Sequence, residues 1–287
     1  MSFYASALLL GLALVPLALG IFLSAKVFNI PDITTDGSFT LGAAGFAVLV
    51  LKPMNPVLAT LIVLPLGALA GACTGIIHTK LKVNALLSGI LMMTALYSVN
   101  LLIMQRSNIP LIGSGNIFEQ VNNPEFLARN ISIAIVIVAG ITGVLIWLLN
   151  TDFGLTMRAA GSNETMIEAQ GVNPDRIKII GLAISNALVA FSGCLVTQLQ
   201  GFADINMGIG IVIAGLASVM MGEALSNRVK RSSILIPVWM VVIAAILFRF
   251  CIAFILAQGI EQVYVKLFTA VLVLVFLSVS KLNFIRK

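Results

Sequence analysis

The sequence predicts an all-α integral membrane protein, a polytopic helical bundle of about nine spans with broken helices and an inverted repeat. Its 287 residues are 60% hydrophobic and 10% charged, and the mean hydropathy is +1.09. This composition excludes an ordinary soluble domain. Apolar runs long enough to cross about 30 Å of hydrocarbon recur along the chain. We therefore expect residues 1–287 to form a single transmembrane domain.

Eight apolar runs have the length of a membrane-spanning helix, which is about 17–25 residues. They are Phe3–Leu23, Pro56–Ile77, Ala85–Met104, Ile131–Leu149, Ile179–Leu199, Ile209–Leu225, Ile234–Leu256 and Tyr264–Ser280. A ninth run, Ser38–Leu51, is shorter and follows a polar segment, so we expect a broken or tilted span. In the second run, Gly67, Gly71 and Gly75 line one helix face and predict close packing against another backbone.

The basic residues predict the orientation of these spans. If each run crosses once and the C-terminus is cytoplasmic, most basic residues fall in cytoplasmic loops, as the positive-inside rule requires. The cytoplasmic set is Lys26, Lys80, Lys82, Arg158, Arg176, Lys178, Arg228, Lys230, Arg231, Lys281, Arg286 and Lys287. The outer set is Lys52, Arg106, Arg129 and Lys266, whereas Arg249 stays within a span. We therefore expect the N-terminus to lie outside.

A long polar segment, Asn150–Lys178, separates two apolar runs and is cytoplasmic in this orientation. Ser162 or Asn163 can cap a short helix there, and Glu164 lies in its first turn, where the helix dipole favours an anion. Gly171 provides a stop, and the Asn-Pro pair that follows opens the next helix. A short helix between two spans is a point at which a cytoplasmic partner can act on the membrane domain.

Two polar elbows precede helices rich in glycine and alanine. The first elbow covers residues 31–42 and the second covers residues 201–210. In the expected topology they lie toward opposite sides of the membrane, which is typical of an inverted repeat with broken helices beside a transport path. The candidate path residues in the elbows are Asp36, Ser38, Thr40 and Asn206. The alternative is that both elbows are polar turns that only join spans.

Polar side chains within spans are further candidates for the path. Arg249 lies about two turns from the outer end of its span, so two placements are open for its guanidinium. It either reaches the interface or faces a central cavity and meets a carboxylate, of a substrate or of Asp36. Tyr97, Ser98 and Asn100 form a polar patch in another span. This patch either lines the path or forms hydrogen bonds between helices.

The sequence lacks the common motifs of nucleotide-binding and hydrolytic sites. There is no G-x-x-x-x-G-K-[ST] phosphate loop, no HExxH and no GxSxG. The single histidine, His78, cannot build a metal site, and Cys73, Cys194 and Cys251 all lie in apolar runs. We therefore expect a protein that is not an enzyme and that binds no metal, no cofactor and no nucleic acid.

One pattern in the polar segment is typical of a known family. It consists of a glycine, a small gap, Arg-Ala, Gly-x-Asn, an amphipathic stretch, Gly-Val-Asn and a basic helix start. Here it is carried by Gly154, Arg158, Ala159, Gly161, Asn163, Gly171, Val172, Asn173, Arg176 and Lys178. This pattern, the span after it and the two elbows resemble the permease subunits of ABC importers of the branched-chain amino acid and ribose type. The resemblance covers nearly the whole chain.

The resemblance implies a type II-like importer permease in the bacterial plasma membrane and a set of partners. These are a second permease copy in a homodimer, two cytoplasmic ATPase subunits that bind ATP and Mg, an extracytoplasmic solute-binding protein and membrane lipid. It also implies that Ser162–Gln170, within residues 150–178, is the coupling helix that docks on the ATPase. The coupling residues that it implies are Arg158, Gly161, Ser162, Asn163, Glu164, Glu168 and Gly171.

The form of the pattern in this chain resembles the amino acid importers, aromatic ones included, so we expect an amino acid as the solute. A permease for a sugar or a nucleoside is an alternative. An ion-coupled secondary transporter is another, because inverted repeats and broken helices also occur in such proteins. The sequence has no series of buried carboxylates typical of a proton relay, which disfavours the secondary transporter.

Overall fold

The computed structural model describes residues 2–52, 54–113, 115–118, 124–226, 235–259 and 264–285. Its helices are α1 (Ser2–Phe22), α2 (Thr34–Leu51), α3 (Pro56–Thr79), α4 (Ala85–Met104), α5 (Pro124–Asn150), α6 (Asp152–Ser162), α7 (Glu164–Ala169), α8 (Pro174–Gln200), α9 (Ile211–Ser226), α10 (Leu235–Ala257) and α11 (Val265–Ile285). A π-helical turn, Leu23–Val27, continues α1. Two short strands are β1 (Asn108–Pro110) and β2 (Phe202–Asp204).

Each predicted apolar run forms a helix, which confirms a polytopic helical membrane protein. Within the described residues, seven helices are long and apolar enough to cross a membrane, and two more, α9 and Val265–Val275 within α11, are apolar but shorter. Of the two alternatives for Ser38–Leu51, the broken span is wrong, because α2 is continuous and begins four residues earlier, whereas the tilted span stays a prediction. The Asp32 carboxylate accepts a hydrogen bond of 2.9 Å from the Thr34 backbone amide and so supports this earlier start.

The helix α8 lies at the centre of the bundle and packs against α1, α2 and α3, and α2 is buried over nearly its whole length. The helix α4, by contrast, exposes most of its surface. The predicted close packing of the glycine stripe is confirmed, because α3 lies directly on α8. A Cβ atom on Gly71 would lie 2.1 Å from the Leu182 carbonyl oxygen, and one on Gly67 would lie 2.5 Å from that of Asn186. Only glycine allows this backbone approach.

The strands β1 and β2 pair in antiparallel orientation, with Asn108 opposite Asp204 and Pro110 opposite Phe202. They link the segment after α4 to the segment after α8, at the end of the bundle where both helices finish. The sequence analysis did not predict this pairing. Three residues are too few for a recognisable alternation of apolar and polar side chains.

The opposite end of the bundle carries basic residues of the set that is predicted to be cytoplasmic. Lys80 lies 3.5 Å from Asp175 at the start of α8, and Lys26 forms an ion pair with Glu223 near the end of α9. For six other members of the predicted cytoplasmic set, either the residue or its side chain lies outside the described part of the chain. They are Arg228, Lys230, Arg231, Lys281, Arg286 and Lys287. The direction of the bundle in the membrane therefore remains a prediction.

Candidate functional site

The polar segment folds into two short helices, α6 and α7, rather than one. Thr151 caps α6, where its hydroxyl oxygen accepts a hydrogen bond of 3.3 Å from the Gly154 amide. Asn163 caps α7 by accepting a hydrogen bond of 3.1 Å from the Met166 amide. The predicted helix Ser162–Gln170 is therefore too long. Ser162 belongs to α6, because its backbone continues the preceding helix up to the Asn163 cap.

The helix α7 is exposed on most sides but attached to the bundle. The Ile167 side chain is buried beneath it, with 1% of its surface exposed. The Glu164 carboxylate lies 2.6 Å from the Lys178 ammonium on α8, and the Lys178 side chain is only 10% exposed. Gly171, with φ of +80°, ends the segment in the left-handed region that glycine adopts readily. Five of the seven candidate coupling residues are exposed on α7 or next to it, namely Ser162, Asn163, Glu164, Glu168 and Gly171.

Two other coupling candidates, Arg158 and Gly161, lie on α6 and face the bundle. A Cβ atom on Gly161 would lie 1.9 Å from the Val27 carbonyl oxygen, so α6 touches the π-helical end of α1 backbone to backbone. The Arg158 guanidinium donates one long hydrogen bond of 3.4 Å from Nη2 to the Leu149 carbonyl oxygen. Within the described part of the chain, its buried Nε has no partner.

Four of the seven candidate path residues line one cavity of about 170 Å³ between α2, α4 and the second elbow. They are Asp36, Thr40, Tyr97 and Asn100. The Asn100 side chain is buried, and its amide nitrogen donates a hydrogen bond of 3.1 Å to the Gly37 carbonyl oxygen. Its Oδ1 has no hydrogen-bond partner among the residues that the structure describes. Apolar side chains complete the wall, among them Met93, Ile205 and Ile209.

Asp36 joins the two elbows. Its Oδ2 accepts a hydrogen bond of 2.8 Å from the Gly210 amide, and its Oδ1 accepts one of 2.9 Å from the Val212 amide. These amides belong to the first turn of α9, so the carboxylate of the first elbow caps the helix that follows the second. The two amides thus provide a hydrogen-bond partner for each oxygen of this buried side chain.

The structure places the other three path candidates elsewhere. Ser38 is buried and donates a hydrogen bond of 2.7 Å to Asn186 Oδ1, and Asn206 lies exposed in a turn. Arg249 lines a separate cavity of about 90 Å³ whose walls come from α1, α2, α8, the second elbow, α9 and α10. The suggested contact between Arg249 and Asp36 is therefore wrong. Gly11 of α1 leaves room for the Arg249 stem, whereas backbone amides occupy both Asp36 oxygens.

A buried polar cluster beside the first elbow was missed by sequence reasoning. Asp32 Oδ2 accepts a hydrogen bond of 2.7 Å from Asn186 Nδ2, and Asn186 Oδ1 accepts the one from Ser38. The Thr34 and Thr74 hydroxyl groups lie 2.8 Å apart in the same region. An asparagine in the middle of an apolar run was the available signal, since buried polar groups require partners. Nothing in the local sequence indicates that its partner is Asp32, which lies 154 residues away.

No group of three His, Cys, Asp or Glu side chains within the described residues is arranged to hold a metal ion. The chemistry that the two candidate regions offer is hydrogen bonding, charge pairing and apolar contact.

Comparison with known proteins relates this chain to solute transporters. Residues 3–279 match the family model described as branched-chain amino acid transport system permease component. The tyrosine transport system permease protein of Clostridioides difficile (strain R20291) is 39% identical over 93% of this chain and 88% of its own length. The ribose import permease protein of Escherichia coli (strain K12) is 26% identical over 67% of this chain and 60% of its own length. No solved structure gives a significant match.

Proposed function

Because the chain belongs to the family of branched-chain amino acid transport system permease components, we propose that it is the permease subunit of a binding-protein-dependent ABC importer for amino acids, aromatic ones included. The observation that supports this proposal best is α7, an exposed six-residue helix attached to the membrane bundle. In this proposal the chain forms the solute path and catalyses no reaction. A separate subunit binds ATP and Mg and hydrolyses ATP.

The attachment of α7 suits it to pass on movement from an ATPase. A displacement of α7 acts on α8 through the pair of Glu164 and Lys178 and through buried Ile167. It acts on the end of α1 through α6, whose Gly161 touches the Val27 carbonyl group. These contacts reach helices at the centre of the bundle, so a small movement at the surface can rearrange the spans.

The cavity around Asp36, Thr40, Tyr97 and Asn100 is the proposed solute path. It lies where the two polar elbows meet inside an apolar bundle, and polar side chains within membrane spans are typical of solute pathways. The cavity offers few hydrogen-bonding groups. Few such groups suffice in this proposal, because the external binding protein provides the affinity and the permease has only to let the solute pass.

The chemistry of the cavity favours an amino acid with an apolar side chain over a sugar. A sugar carries a hydroxyl group on most of its carbon atoms, and each hydroxyl needs a partner when it leaves water. The cavity supplies few partners and presents Met93, Ile205 and Ile209. The related tyrosine permease supports the same choice. The related ribose permeases keep a sugar importer as the second candidate.

The proposed complex contains two copies of this chain, two cytoplasmic ATPase subunits and one extracytoplasmic solute-binding protein, in a bacterial plasma membrane. The C-terminus is cytoplasmic and the N-terminus lies outside. The apolar face of α4, exposed at Leu87, Leu91 and Leu102, adjoins Tyr97 and supports a second copy beside the path. The chain itself binds no cofactor in this proposal.

Uptake by reconstituted vesicles tests the function. The vesicles contain this chain, the ATPase and the binding protein, and the labels are tryptophan, tyrosine, leucine and ribose. We expect one amino acid label to accumulate, only with ATP and binding protein present. Accumulation of ribose alone would show that the solute is a sugar rather than an amino acid. Uptake that follows an ion gradient without ATP would overturn the proposal of an ABC importer.

Cross-linking tests the role of α7. In a background without Cys73, Cys194 and Cys251, Met166→Cys places a thiol on an exposed surface, because Met166 is 51% exposed. Ile167→Cys is the matched control, since the adjacent Ile167 side chain is only 1% exposed. We expect Met166→Cys to cross-link to a cysteine in the ATPase, and Ile167→Cys to remain unlinked. Absence of any cross-link along α7 would exclude it as the docking helix.

A further inference from the structure

A second cavity, of about 350 Å³, opens beside the polar segment, between the end of α1, α6, α9 and α10. Its volume lies within the range of small-molecule sites, which is about 300–1,000 Å³. Among the described residues, three charged side chains line it, namely Lys26, Arg158 and Glu223. The cavity is distinct from the proposed solute path, because the two share no lining residue.

The cations of this cavity can hold a carboxylate. Arg158 has five N–H donors in a planar fork, and a carboxylate is the acceptor that matches two of them. In the described structure only Nη2 has a partner, at the long distance of 3.4 Å, while buried Nε has none. A buried donor without an acceptor is a group that a ligand can satisfy.

The cavity also contains a place for a cation. The Glu223 carboxylate forms its ion pair with Lys26 through Oε2. Its Oε1 has no hydrogen bond or ion pair within the residues described, and this oxygen can accept a hydrogen bond from an ammonium group. The same carboxylate repels a phosphate group that approaches it, so it favours a ligand that carries a cation beside its anionic group.

The remaining wall is apolar. Phe22, Val219 and Val241 line the cavity, and each of these side chains is nearly or fully buried. Apolar walls with a few convergent polar groups are typical of small-molecule sites. A ligand that satisfies all three features carries a carboxylate, an ammonium group and an apolar side chain.

We propose that this cavity binds a zwitterionic amino acid with an apolar or aromatic side chain. Its carboxylate lies against Arg158 and Lys26, its ammonium group against Glu223, and its side chain against Phe22, Val219 and Val241. The site does not depend on which solute the protein transports, although its cytoplasmic location rests on the proposed orientation. A ligand there contacts α6, which adjoins α7, and so is placed to regulate transport by the amount of amino acid inside the cell.

Equilibrium dialysis with tritiated tyrosine tests the proposal. The full chain is held in nanodiscs of phosphatidylcholine without binding protein or ATPase. Tyramine and 3-(4-hydroxyphenyl)propionate are each added as test competitors. Tyramine lacks the carboxylate, and the propionate lacks the ammonium group. We expect saturable tyrosine binding that neither competitor displaces at tenfold excess. Absence of saturable binding, or equal displacement by the propionate, would overturn the proposal.

Variants locate the site. We expect Glu223→Gln and Lys26→Gln each to weaken tyrosine binding about tenfold, with unchanged circular dichroism. Asp175→Asn is the matched control, because it breaks a Lys–carboxylate pair at the same end of the bundle but outside the cavity. Binding lost in Asn100→Leu but retained in Glu223→Gln would assign it to the transport path and overturn the inference. Displacement by short-chain phosphatidylglycerol alone would identify a lipid site instead, also against the proposal.

Discussion

The Asp36 carboxylate accepts a hydrogen bond of 2.8 Å from the backbone amide of Gly210, which lies 174 residues further along the chain. This contact joins the first turn of α2 to the start of α9. Gly208 makes it possible, because a Cβ atom there would lie 2.0 Å from the Asp36 carbonyl oxygen. The two elbows therefore meet through a charged cap that lies in the wall of the proposed solute path.

Removal of this cap is expected to destabilise the protein. Asp36→Ala leaves the Gly210 and Val212 amides without acceptors, and we expect a loss of about 2 kcal/mol in the free energy of unfolding. Asp36→Asn keeps one acceptor but loses the charge, so about 1 kcal/mol is expected. Unfolding in an SDS titration measures both. Asp204→Asn, on the more accessible second elbow, is the control and should change little. Equal stability of Asp36→Ala and wild type would show that the cap is unimportant.

The contact between α2 and α8 is expected to tolerate no side chain at Gly42. A Cβ atom there would lie 1.8 Å from the Ala190 carbonyl oxygen, so Gly42→Ala forces the helices apart. We expect a loss of about 3 kcal/mol or failure to fold, measured as the yield of monodisperse protein. Gly140→Ala is the matched control, because nothing lies within 4 Å of its Cβ position. That control should be neutral or stabilised by about 0.5 kcal/mol.

The Glu164 and Lys178 side chains, which form an ion pair beneath α7, are expected to make coupled contributions to the free energy of unfolding. Glu164→Gln leaves the buried Lys178 ammonium without its carboxylate, and we expect a loss of about 1 kcal/mol, a small value because Glu164 is half-exposed. Adding Lys178→Met to Glu164→Gln should recover most of that loss, since methionine needs no charged partner. A double-mutant cycle of unfolding free energies measures the coupling. Strictly additive effects of the two substitutions would contradict the expected pairing.

Asn100 is expected to affect solute passage. Asn100→Leu removes the unpaired Oδ1 from the cavity wall, and we expect uptake by the reconstituted complex to fall about tenfold. Loss of the bond to Gly37 also costs about 1 kcal/mol of stability, so uptake is normalised to folded protein. Ser98→Ala, on an exposed face of the same helix, is the control. Normal uptake by the Asn100→Leu variant would show that Asn100 is not part of the solute path.

Local sequence predicted the features that depend on neighbouring residues. The membrane spans follow from apolar length, and α4 was predicted at its observed bounds, Ala85–Met104. The cap of α7 at Asn163 follows from the chemistry of one side chain and the amide three residues later. The family also followed from a local pattern, because its residues lie close together between Gly154 and Lys178.

The sequence by itself thus determined that this protein is a helical membrane bundle with a polar segment between two spans, since hydropathy and helix caps act over a few residues. Only the tertiary structure decided which distant polar groups meet. It paired Asp36 with Gly210, joined Asp32 to Asn186 and placed Arg249 in a different cavity from Asp36. The physical reason is that a buried polar group must find a partner through space, and the packing of the helices determines which partner is near.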